Sequence, residues 1–192
     1  MGKLDKAIGY LSGGMEFVSD HGVGWRREFI KASHIAQLKI DFVDPTNKPG
    51  GVQIGERQKY QQQLQQEGRF KELKEYVGEY RHIDLRFTDY SDFLIVAVDP
   101  LVPQWGTANE VYMAENEHKP MFFICKGGLY QLPRWLFDVV ELDHVFDNIQ
   151  DVIGKLIQLD QGENKLSRKW VLVRKFIEEN RNNRLEIEKQ LM

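Results

Sequence analysis

Phe93-Leu94-Ile95-Val96-Ala97-Val98-Asp99-Pro100 is the stretch on which the fold turns. Its six apolar residues run without alternation, as in a parallel strand covered by helices on both faces, and Asp99-Pro100 ends the run. Upstream, residues 7–11 form a shorter apolar run that stops at Ser12-Gly13-Gly14, a strand entering a loop that needs unhindered backbone. Residues 24–38 carry Trp25, Phe29, Ile30, Ile35 and Leu38 at near-helical spacing, and residues 39–43 give another strand closed by Asp44-Pro45-Thr46-Asn47. Downstream come a helix over 108–117, Pro120 and the strand Met121-Phe122-Phe123-Ile124-Cys125, then a strand over 135–140 and a helix within 145–159. Alternating strands and helices predict an α/β fold: a doubly wound parallel sheet of about five strands, flavodoxin/Rossmann-like, with helices on both faces.

Two segments stand outside that alternation. Residues 56–77 are polar and glutamine-rich, but Tyr60, Leu64, Phe70, Leu73 and Val77 make a narrow apolar stripe, predicting one or two helices broken at Gly68. This reads as an insertion or lid at about 52–80 within an α/β domain spanning 1–160. Residues 161–192 form a charged carboxyl-terminal helical extension, apolar at Trp170, Val171, Val173 and Ile177, and are the candidate contact of a homo-oligomer.

Composition narrows the function classes. The 192 residues are 42% hydrophobic and 29% charged with a net charge of -3, a globular balance without the basic excess that duplex nucleic acid demands. No run approaches a membrane span or a signal peptide, so a cytoplasmic location with no membrane partner is expected. The single cysteine, Cys125, sits in an apolar strand and reads as core. His21, His34, His118 and His144 have no metal-ligand spacing, and neither a P-loop nor a dinucleotide fingerprint is present, so no metal or cofactor is expected.

Ligands of such sheets bind beyond the carboxyl ends of the strands, where the loop after strand one, the end of the Phe93 strand and the turn at Gly106 should meet. In Gln104-Trp105-Gly106-Thr107-Ala108-Asn109-Glu110, glycine permits close approach of a ligand. Thr107 followed three residues later by Glu110 also fits a capping box, in which the carboxylate would serve a backbone amide instead of a substrate. Spacing leaves both open. Trp105 could stack on a base or plug the core; Asp99 could bind a sugar hydroxyl or only form its turn; Asp84 could be a helix-surface acid.

Tyr10-Leu11-Ser12-Gly13-Gly14-Met15, the segment from Asp84 to Asp92, and Gly106-Thr107-Ala108-Asn109-Glu110 followed by Ala114 and Lys119-Pro120 together resemble the nucleoside 2-deoxyribosyltransferase family, over about two thirds of the chain. The resemblance implies an enzyme that transfers or hydrolyses the (deoxy)ribosyl group of a nucleoside or nucleotide. Glu110 would be its carboxylate nucleophile, and Asp84 and Tyr10 its catalytic partners. It further implies substrate contacts from Gly13, Gly14, Met15, Asp99, Gly106, Thr107 and Asn109, an aspartate one short helix ahead of the central strand, and a site that a neighbouring subunit helps complete. The sequence departs from the family in the loop 100–105, which lacks the acid often found there; Gln104 or Asp99 would have to substitute. Arg81, His82 and Arg86 flank Asp84 and could receive a 5′-phosphate or simply be solvated. The competing expectations are a module that binds a nucleotide or nucleotide-derived signal without turning it over, and an assembly protein with a vestigial rim.

Overall fold

The computed structural model describes residues 2–47 and 54–163. They form a parallel five-stranded sheet in the order β2-β1-β3-β4-β5, built from β1 (Ile8–Gly13), β2 (Asp41–Val43), β3 (Phe93–Val98), β4 (Met121–Cys125) and β5 (Val145–Phe146). Five helices join them: α1 (Val23–Ile35), α2 (Ile54–Gln66), α3 (Phe70–Tyr90), α4 (Trp105–Asn116) and α5 (Ile149–Gln161). This is the flavodoxin/Rossmann-like, doubly wound arrangement that the uninterrupted Phe93 run predicts. The carboxyl-terminal extension from residue 164 onward, with the oligomer contact expected of it, lies outside the described residues.

Side chains alternate across the pleat, so each central strand feeds two cores. Leu11, Phe93, Ile95 and Phe122 pack with Phe29 of α1 and with Val152, Ile153 and Leu156 of α5. Tyr10, Leu94, Val96, Phe123 and Cys125 pack on the other face with Val111 and Ala114 of α4. Both β3 faces are buried, which is why its sequence shows no polar alternation.

Two predicted elements are corrected, and so is the short helix expected ahead of the central strand. Residues 135–140 are not a strand: Arg134–Leu136 is a single 3₁₀ turn whose Leu136, with Val139, plugs the α4-side core, and the fifth strand is Val145–Phe146. The helix expected over 108–117 begins three residues earlier, at Trp105. The insertion is an α2–α3 hairpin that turns at Gly68 in a left-handed conformation (φ 70°), and α3 continues unbroken for 21 residues to Tyr90. Asp84 therefore sits on the long second arm of the hairpin and not on a separate short helix. At the end of that arm, Asp92 Oδ2 accepts the Ile8 amide at 2.8 Å, and Lys119 Nζ donates to the Thr88 carbonyl at 2.7 Å, clamping α3 to β1 and to the turn before β4.

Strand β2 pairs with only the first half of β1, at Ile8, Gly9 and Tyr10, before the chain turns away at Asp44-Pro45. Among the described residues, the outer side of Leu11–Gly13 has no strand neighbour. Arg26 of α1, fully buried, takes its place: Nε donates to the Leu11 carbonyl at 3.0 Å, Nη2 to the Gly13 carbonyl at 2.9 Å and Nη1 to the Gly22 carbonyl at 2.7 Å. Asp44 lies 3.7 Å from Nε, the nearest counter-charge. Gly22 is required there twice over: its φ is 72°, and a side chain would run into the Arg26 guanidinium.

Candidate active site

Where β1 and β3 end, a cavity of about 290 Å³ opens between the sheet rim, α4 and the α2–α3 hairpin. Gly13, Gly14 and Met15 border it from the loop after β1; Gly106, Thr107, Asn109 and Glu110 from the first turns of α4; and Asp84 from α3. These segments are far apart in sequence and meet because the parallel order β1-β3 brings their carboxyl ends side by side. A β-carbon at Gly14 would sit 2.8 Å from the Gln104 side-chain amide, so a larger residue there would require that amide to shift.

Glu110 forms the floor. Helix α4 presents it inward, only 7% exposed. Tyr10 Oη donates to its Oε1 at 2.8 Å and Ser12 Oγ donates to its Oε2. Tyr10 and Ser12 are two apart on β1, so both point to the α4 side of the sheet. The capping-box alternative is thereby excluded: α4 starts at Trp105 after Gln104, and the Glu110 carboxylate is held by two side chains about a hundred positions away in the chain instead of by an amide of its own helix.

Tyr10 lies beneath the cavity, fully buried, and is hydrogen-bonded to its floor at Glu110. Burial drives its hydroxyl well above the ordinary range, and the charges of Glu110 and Asp84 add to the effect, so it stays a protonated donor. Burial is also the leading influence on Glu110, pushing it up to about 7; the neighbouring Asp84 charge adds to this, while the Ser12 and Tyr10 hydrogen bonds and Arg26 pull the other way. A carboxylate held near neutrality can be ionised for attack or retain a proton with small changes around it.

The folded chain binds the Glu110 proton more tightly than the unfolded chain, so this group's contribution is complete below about pH 4.5 and is lost as pH rises through about 7. Glu110→Gln, which never ionises, should therefore gain about 3 kcal/mol relative to the native chain between about pH 4.5 and pH 8. Urea unfolding of both proteins at the two pH values checks this; a difference independent of pH contradicts a buried titrating carboxylate.

Not every expected residue joins the site. Asp99 is exposed, its Oδ1 accepting the Leu101 amide at 2.9 Å in a turn, and it borders a separate groove with Trp105, Tyr112 and Trp135. Gln104 does reach the cavity, but its amide is engaged by the main chain, donating to the Ala97 carbonyl and accepting from the Asp99 amide, each at 3.2 Å. Trp105 neither plugs the core nor borders the cavity: it is 83% exposed. Of the three basic residues around Asp84, Arg81 borders the cavity, whereas His82 and Arg86 face solvent.

Sequence reasoning missed Ser12 as a site residue, although its i, i+2 relation to Tyr10 was the available signal. It also missed Arg57 of α2, which borders the cavity within the segment read as an insertion. The chain matches no known family model and no curated protein.

Among the described residues, the ligand-type side chains that cluster are Glu141, Asp143 and His144, whose donor atoms lie within 4.8 Å of one another. None of the three borders the cavity. Lys155 pairs with Asp143 at 3.0 Å and His144 Nδ1 lies 3.2 Å from the Met121 carbonyl, so the group ties α5 and β4 together. No described helix is long and apolar enough to cross a membrane.

Proposed function

We propose that this chain cleaves or exchanges the N-glycosidic bond of a nucleoside or nucleotide, as its resemblance to nucleoside 2-deoxyribosyltransferases implies. One observation carries the reading: a titratable carboxylate, Glu110, buried on the floor of a cavity and braced by Tyr10 and Ser12 instead of by its own helix. Bracing of both oxygens fixes the orientation from which one can reach a bound sugar.

Departure of the base leaves positive charge on the anomeric carbon and negative charge on the base nitrogen. The Glu110 carboxylate forms a bond to that carbon as the carbon–nitrogen bond breaks, and the electron pair leaves with the base. Asp84, protonated or through a water, gives the base its proton. Water or a second base then attacks the anomeric carbon of the glycosyl ester; its proton passes to Asp84 as the bond from the carbon to the Glu110 oxygen breaks, which regenerates both acids and yields hydrolysis or transfer. Gly13, Gly14 and Gly106 let backbone approach the sugar, and Thr107 and Asn109 offer polar contacts beside the nucleophile.

The test is to incubate the protein with deoxynucleosides and deoxynucleotides, with and without a second base, and to follow free base by chromatography. Release is expected, with kcat/KM rising with pH through about 7 as Glu110 ionises. No product from any substrate overturns the reading. One observation favours the non-catalytic alternative: no acid lies in the loop 100–105, and Gln104 is occupied with main-chain groups. Tight calorimetric binding with ligand unchanged after long incubation would identify a nucleotide-binding module.

A further inference from the structure

We propose that the cavity is built for a nucleoside 5′-monophosphate, with the phosphate held between Arg57 and Arg81 of the α2–α3 hairpin; the proposal takes its sugar and base from the N-glycosidic reading, but its phosphate from the arginines alone. Arg57 is 6% exposed, and among the described residues its Nε has no hydrogen-bond partner. Its Nη2 donates to the Thr46 carbonyl at 3.5 Å, the limit of such a bond. The guanidinium lies over the Tyr80 ring, 4.9 Å from its centre.

A buried cation with an unused donor is unfavourable unless an acceptor arrives. The contact with the Tyr80 ring restrains the guanidinium before a ligand arrives, and a planar fork of donors suits bidentate binding of a phosphate. The first turn of α2, at Ile54 and Arg57, borders the same cavity, so the positive end of the helix adds to the attraction for an anion.

Arg81 supplies the second cation. It borders the cavity from α3, one helical step of three residues, about 4.5 Å along the axis, before Asp84. A substrate with one anionic terminus is drawn to the arginines and kept from the acids, so attraction and repulsion together orientate it. A neutral nucleoside would leave the Arg57 donor unmet.

The experiment compares initial rates of the full chain on deoxynucleosides and on their 5′-monophosphates. The monophosphates should show kcat/KM about 10- to 100-fold higher. Arg57→Gln and Arg81→Gln should each lower that ratio, chiefly through KM, with Arg57→Lys restoring part of it and inorganic phosphate competing with the monophosphates. Arg81 is exposed, so Arg81→Gln tests the subsite even where Arg57→Gln fails to fold. Equal turnover of both substrate classes, or an unchanged ratio in Arg81→Gln, overturns the proposal. Calorimetric titration with inorganic phosphate and a monophosphate separates the two readings. Binding lost in Arg81→Gln, without base release, supports the phosphate subsite and defeats the enzyme reading. Base release from nucleosides, with no response to phosphate, does the opposite.

Discussion

Glu110→Ala is expected to fold and to release base at least about 10³-fold more slowly than the native chain, the magnitude that follows when a nucleophile is lost. Folding should survive because the carboxylate anchors no amide of α4 and because its ionised form is unfavourable where it sits. The loss should appear in kcat more than in KM, since in the proposed reaction the group would act on the reacting carbon and not on the remainder of the ligand. Tyr10→Phe and Ser12→Ala each remove one brace and should reduce kcat by about 10-fold, in keeping with a hydrogen bond to a charged group. Single-turnover rates with substrate in excess of KM measure all three. Unimpaired kcat in Glu110→Ala would remove the carboxylate from the chemistry altogether.

Arg26→Met should lower the stability of the fold by about 3 to 5 kcal/mol, the range for stripping a buried, fully hydrogen-bonded cation from its partners. Three carbonyls, those of Leu11, Gly13 and Gly22, lose their donor at once, and Asp44 loses its nearest cation. Methionine fills much of the volume, so the loss measures unmet polar groups more than a void. Arg26→Lys should recover only part of it, because one ammonium cannot span three acceptors set out for a planar fork. Thermal and urea unfolding measure both variants; a loss under about 1 kcal/mol would show that water replaces the guanidinium freely. Base release should fall in parallel, since Gly13, held through its carbonyl, borders the cavity.

The parts of the fold that could be read in the chain are those where local pattern and burial agree. Strands β1, β3 and β4 are continuous apolar runs because both their faces are covered, and Gly68 breaks the polar insertion where the hairpin turns. Strand β5 escapes such reading because two residues carry no periodicity, while the richer 135–140 segment earns its apolar content by plugging a core from a 3₁₀ turn. The site divides in the same way. Asp84 and Glu110 border one cavity and Tyr10 bonds to Glu110 from below it, not from its wall. Whether Glu110 capped its helix was undecidable locally, since the deciding partners, Tyr10 and Ser12, lie on another element. Arg26 and Arg57 look like ordinary solvent-facing helix charges, and nothing in their neighbours along the chain marks them as buried.

The guanidinium that stands in for a missing stretch of β2 has a consequence for how the molecule meets others of its kind. A row of bare carbonyls beside a ligand mouth would invite any passing extended segment to zip onto it. Satisfying them with a side chain from α1 gives the corner no ladder to continue, so the entrance can stay wide without becoming adhesive.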